Sequence, residues 1–129
     1  MRIVTIILIV LISGGYAHAA DKRLHKEKDY QKDWCCEANG IDEYVLPDKT
    51  RVDCVTDEYA IEFDFADKWA EAIGQSLHYA RMTNRKPGIV LIIEHPEDKK
   101  HLEKLEPIAQ EIGIKIWIIE NEIKESKSK

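Results

Sequence analysis

The chain has 129 residues, with 24 acidic against 19 basic side chains and a formal net charge of −5. That balance excludes attachment to nucleic acid by bulk electrostatics, so any such contact must use a local basic patch. Such patches stand at Lys22, Arg23, His25, Lys26 and Lys28, at Arg81, Arg85 and Lys86, and at Lys99, Lys100 and His101, although solvated surface faces are the simpler explanation of each.

At the start, Arg2 precedes an apolar run over residues 3–12. Ser13-Gly14-Gly15 breaks the run, and Ala17-His18-Ala19 follows as a small-x-small site. This is the pattern of a cleaved secretory signal peptide over residues 1–19. The run is shorter than the roughly 20 residues needed to span a bilayer. The mature protein is therefore expected to begin near Ala20 and to be exported, periplasmic or secreted, with no membrane attachment after cleavage. The remaining chain suits one domain over residues 20–121, with a polar tail at 122–129. Cys35, Cys36 and Cys54 are an odd set for an exported chain. Cys54 can bridge to Cys35 or to Cys36, or all three are small buried residues.

Residues 25–39 carry Tyr30, Trp34, Cys35 and Ala38 at helical spacing, with Gly40 as the stop. Glu37 falls in the last turn of that helix, where the dipole disfavours an acid; a surface accident is the simplest explanation, and a metal or a buried partner would also account for it. Three short strands follow at 43–46, 51–55 and 59–65, joined by turns at Pro47-Asp48-Lys49 and Asp57-Glu58. Strand alternation puts Arg51, Asp53 and Val55 on one face of the second strand, with Val52 and Cys54 opposite. On the third strand it puts Ala60, Glu62 and Asp64 opposite Ile61, Phe63 and Phe65. Asp53 and Glu62 thus lie side by side with Asp64 near, an arrangement whose repulsion a bound cation would relieve.

Residues 66–83 read as a long helix with an apolar stripe of Ala66, Trp69, Ala70, Ile73, Leu77 and Ala80. Beside it runs a second stripe of Lys68, Ala72, Gln75 and Tyr79. Ile89–Ile93 reads as a buried strand. A helix from Pro96 to Ile112 comes next, with Pro107 expected to kink or divide it. Gly113 caps that helix, and residues 114–119 read as a last buried strand.

The order helix, three strands, helix, strand, with an Asp on the second strand and Glu62-Phe63-Asp64 on the third, resembles the PD-(D/E)XK nuclease superfamily. Gln75-Ser76-Leu77-His78-Tyr79 is similar to the Q-x-x-x-Y element of its RecB-type members. The resemblance covers residues 25–119. It implies an α/β, restriction-endonuclease-like fold: a mixed sheet of about five strands flanked by helices, with an αβββαβ core plus a further helix and strand. It also implies hydrolysis of phosphodiester bonds with Mg²⁺ or Mn²⁺, on nucleic acid and on DNA rather than RNA. Asp53, Glu62 and the carbonyl of Phe63 would be metal ligands, with Asp64 or Glu37 extending the site. Lys68, Gln75 and Tyr79 would complete the catalytic set. The sequence departs from the family in one respect: Asp64 stands where the signature has its lysine, and Lys68 on the following helix is the substitute. The competing reading is a secreted binding or structural module that kept this fold and lost catalysis. The leader has its own test, since N-terminal sequencing of exported material is expected to begin near Ala20; a soluble product retaining Met1 would reject the signal peptide.

Overall fold

Alternating side chains over residues 51–65 build the antiparallel half of a five-stranded sheet, and the continuous apolar run at 89–93 builds the centre of its parallel half. The computed structural model describes residues 23–121; the leader expected at 1–19 and the tail expected at 122–129 lie outside the described residues. The elements are α1 (Glu27–Glu37), β1 (Ile41–Val45), β2 (Arg51–Val55), β3 (Tyr59–Phe65), α2 (Trp69–Thr83), β4 (Lys86–Ile93), α3 (Lys99–Ile112) and β5 (Lys115–Glu120). Single 3-10 turns, Ala66–Lys68 and Pro96–Asp98, lead into α2 and α3.

The sheet order follows the chain, β1-β2-β3-β4-β5. β1/β2 and β2/β3 are antiparallel, while β3/β4 and β4/β5 are parallel. The fold is thus α/β with a mixed sheet and three helices. The crossover helices α2 and α3 share one core cluster, in which Ala72, Leu105 and Ala109 pack on Ile89, Leu91 and Ile93. α1 covers the opposite face, where Cys35 and Trp34 pack with Cys54, Ile61, Phe63 and Val90. A disulfide joins Cys35 to Cys54, and Cys36 is free and exposed. Of the two pairings the sequence left open, geometry selects Cys35 because it lies on the buried side of α1 and Cys36 does not. A bridge closing a loop of this length stabilises the fold by about 3 kcal/mol on a chain-entropy estimate.

Several sequence expectations shift. β4 begins at Lys86 and includes Pro87 and Gly88, because its pairing with β3 starts at Tyr59↔Lys86. Pro107 does not divide α3, which runs unbroken through it. β5 is the outer strand of the sheet and not a buried one, and Ile118 is 43% exposed. α2 is rolled relative to the stripe read from its sequence. Leu77 is exposed, while Ala72, Ser76, Tyr79 and Ala80 are buried, so the edge bearing Tyr79 faces the sheet. Finally, Val52 packs in one cluster with Val55, Ala60 and Tyr79, while Cys54 goes to the other face. Strict alternation fails there beside a second irregularity: Glu43, opposite Asp53, has φ +52°, and the β1/β2 pairing skips those two residues.

Gly40 sits where α1 turns into β1, against the disulfide. A Cβ added there would lie 2.5 Å from the Cys54 sulfur and 2.8 Å from that of Cys35. Gly40→Ala is therefore expected to destabilise the oxidised protein by roughly 1–3 kcal/mol through overpacking; an unchanged urea midpoint would show that the contact is not as tight as described.

Candidate active site

β2 and β3 pair only at Cys54↔Ile61 and Val55↔Ala60. The ladder stops before Asp53 and Glu62, and side chains take over its hydrogen bonds. The Phe63 N–H donates to Asp53 Oδ2 at 2.8 Å, and Gln31 Nε2 on α1 donates to the Asp53 carbonyl at 3.0 Å. The parted strands open a cavity of about 370 Å³, within the size range of small-molecule and substrate sites. Glu27 and Gln31 of α1, Asp53, Glu62, and Gln75 and Tyr79 of α2 line it, with Lys28, Glu43 and Arg51 at its β1 side.

Four of the expected residues, Asp53, Glu62, Gln75 and Tyr79, thus share one cavity. Gln75 and Tyr79 stand one turn apart on α2, and both line it. Asp64 is buried on the side of β3 that bears Glu62, and its Oδ1 accepts from the Phe65 N–H at 3.1 Å. Lys68 is exposed and does not line the cavity, yet its charge acts on both Glu27 and Asp64. The Phe63 side chain lies in the core of the opposite face, and its backbone runs past Asp53.

Glu37 is not brought in. It is exposed in the last turn of α1, at the far end of that helix from the cavity. Glu27, in the first turn, is the α1 acid at the site. The sequence carried a signal for it: Glu27, Gln31 and Cys35 are spaced i, i+4, i+8 and so share one helix face. Choosing Cys35 as the bridge partner turns that face to the sheet, and reading back by fours gives Gln31 and then Glu27.

Crowding governs the electrostatics. Burial raises the Glu62 carboxyl far above the usual range, and Asp53, Asp64 and Glu27 add to it. Asp53 is also raised by burial, partly offset by the Phe63 N–H and by a hydrogen bond with Glu62. Both members of the pair thus favour their protonated form over two adjacent charges. Burial and Glu27 push Asp64 up to about 7, against the lowering effect of Lys68. Glu27 is raised as well, by burial first and Asp53 second. Burial raises the Tyr79 hydroxyl, and the Glu62 charge adds to this.

Among the described residues, no group of three or more His, Cys, Asp or Glu side chains forms a ready-made metal shell. The pair Asp53–Glu62 is nonetheless suited to a hard cation. Glu62 Oε2 is buried with no hydrogen-bond partner, an acceptor that a proton or a divalent ion would satisfy. A second cavity of about 360 Å³ lies on the α1 face between Trp34, Tyr59 and Trp117, and sequence reasoning gave no hint of it. Compared with protein-family models, with curated proteins and with solved structures, the chain matches none.

The raised carboxyls fix the sign of a pH dependence. A group such as Asp64, whose folded value of about 7 lies above its ordinary 3.8, holds a proton in the folded state that the unfolded chain has released. Stability is then greatest on the acid side and falls as pH rises through that window. The melting temperature of the metal-free protein is expected to drop from about pH 5 to about pH 8, and Asp64→Asn to flatten the fall. A melting temperature that rises over the same range in the wild type would contradict the crowding described above.

Proposed function

We propose that the protein is a metal-dependent phosphodiester hydrolase of the restriction-endonuclease-like type, acting on nucleic acid outside the cytoplasm, with DNA as the expected substrate. The observation that carries this reading is the convergence of Asp53, Glu62, Gln75 and Tyr79, from two strands and a helix, on one cavity. The sheet order, with a meander followed by two parallel crossovers, supports the same fold type. The leader pattern and the Cys35–Cys54 bridge support export.

Asp53 and Glu62 would hold Mg²⁺ or Mn²⁺, with Glu27, Asp64 and the Phe63 carbonyl as further oxygen donors. Such an ion supplies an activated water at neutral pH and charge stabilisation on the phosphoryl oxygens. The protein's own groups do the rest. At Asp53 and Glu62 a metal would compete with protons, which would tie loading to pH. Phe63, through its N–H, fixes the orientation of the Asp53 carboxyl. Gln75 and Tyr79, one turn apart on α2, would both donate to a phosphate oxygen or a bound water in the cavity. Lys68, whose charge acts on Glu27 and Asp64, offsets part of the acidic charge and would orient the attacking water or the scissile phosphate. It takes the part that a lysine in place of Asp64 would play.

Asp64 is also the observation that favours a second reading, an exported binding module that has lost catalysis. The two readings separate by titrating Mn²⁺ calorimetrically and by assaying cleavage of labelled DNA with Mn²⁺ or with EDTA. The hydrolase reading expects Mn²⁺ binding that disappears in Asp53→Asn and Glu62→Gln, with cleavage reduced about hundredfold or more in these and in Lys68→Ala. A wild type that binds no Mn²⁺ at millimolar concentration would hand the protein to the binding-module reading.

A further inference from the structure

The cations that face the cavity are held by an acid that faces it too. Arg51 Nη1 lies 2.9 Å from Glu43 Oε2, and Lys28 Nζ lies 3.5 Å from Glu43 Oε1. Gln31 Nε2 reaches the same Oε1 at 3.4 Å. All four side chains line the cavity that contains Asp53 and Glu62. The conformation that permits this is costly: Glu43 has φ +52°, a region unfavourable to any residue with a Cβ. Of the other non-glycine residues at positive φ, Asn39 and Asn84 end helices and Lys49 sits in a turn. Among the described residues Glu43 alone has positive φ inside a strand, at the point where the β1/β2 pairing skips a residue pair.

Four carboxyls (Glu27, Glu43, Asp53 and Glu62) and two cations line the cavity. A polyanion enters such a site only if its phosphates can claim those cations. Lys28 and Arg51 are mostly exposed, at 69% and 57% of their side-chain surface, so their pairs with Glu43 are weak and readily exchanged. A guanidinium binds a phosphate by two parallel hydrogen bonds, as it binds a carboxylate.

We propose that Arg51 and Lys28 are the subsite for a backbone phosphate next to the scissile bond of a nucleic-acid strand, and that Glu43 fills this subsite in the free protein as an internal anionic stand-in. The location of the scissile bond rests on the hydrolase reading above; the exchange of Glu43 for a phosphate does not. Glu43 therefore sets the threshold for substrate entry. It keeps both cations positioned in the strand-free state and yields them to a ligand of the right charge and reach.

The test is anisotropy of a fluorescein-labelled single-stranded DNA oligonucleotide, in EDTA, over a series of KCl concentrations. Glu43→Gln is expected to bind about tenfold tighter at low salt than the wild type. Arg51→Gln is expected to bind more weakly and to flatten the salt slope by about 0.7, the share of one phosphate contact on a single strand. In the Glu43→Gln/Arg51→Gln double variant the gain should vanish. Glu103→Gln, which removes the same charge from an exposed position on α3, should leave affinity unchanged. If Glu43→Gln folds poorly, Glu43→Gly accepts the positive φ and removes the same carboxylate. A gain that survives loss of Arg51, a gain equalled by Glu103→Gln, or no binding by either wild type or Glu43→Gln overturns the proposal. The hydrolase reading fails separately: expected binding changes without Mn²⁺-dependent cleavage leave this subsite standing. Cleavage indifferent to Glu43 and Arg51 removes the subsite and leaves the hydrolase.

Discussion

The hydrogen bond from the Phe63 N–H to the Asp53 carboxylate is the contact on which the site depends. It occupies the point where β2 and β3 stop pairing, and it satisfies a backbone donor that would otherwise be stranded in a buried strand. Without such a partner the strands would have to stay zipped, and no cavity could open between them. One residue further along β2, the Cys35–Cys54 bridge fixes the other branch of the fork to α1. Between them these contacts hold the strands apart on one side and together on the other, and α1 and α2 supply the walls.

The fork gathers acids into a volume that has little water to screen them. Glu27, Asp53, Glu62 and Asp64 all respond by holding their protons more tightly, and burial is the first cause for each. A proton and a divalent cation are then rival solutions to one electrostatic problem. Lys68 offsets part of the charge from the α2 side, and Arg51 offsets part of it from the β2 side. The basic stretches noted in the sequence are partly neutralised. Arg23, Lys28, Lys86 and Lys99 are each paired with an acid, Asp67, Glu43, Glu58 and Glu120 respectively. At the cavity, attraction for a polyanion must come from exchange of partners, because both cations that line it are paired with Glu43.

The strands and the acidic cluster were legible because the signals are local. Period-two alternation sorted Glu62 and Asp64 from Ile61 and Phe63, and the structure keeps that sorting. What escaped the sequence depends on distant contacts. Glu27 could be told from Glu37 only after the bridge had chosen Cys35 over Cys36. The roll of α2 depends on how closely the small residues Ala72 and Ser76 let it approach the sheet, and apolarity alone pointed to Leu77. β5 reads as buried because Trp117 and Ile116 are apolar, yet sheet order makes it an edge, and no local signal carries sheet order. The parity slip at Val52 lies beside the irregular backbone of a neighbouring strand.

That backbone has a consequence beyond the site. β1 forms one border of the sheet, and its Ile41 and Val45 are 61% and 57% exposed. A straight border strand with such side chains offers its free N–H and C=O groups as a template for another chain. The left-handed residue at Glu43 makes the β1/β2 pairing irregular at the midpoint of β1, so that border is not a straight template. No residue of β5 has positive φ, and that border instead carries Lys115 and Glu120 at its two ends. The irregularity at Glu43 thus guards the more apolar border against self-assembly, and relaxing it to an extended conformation would lay that border open as a template for other chains.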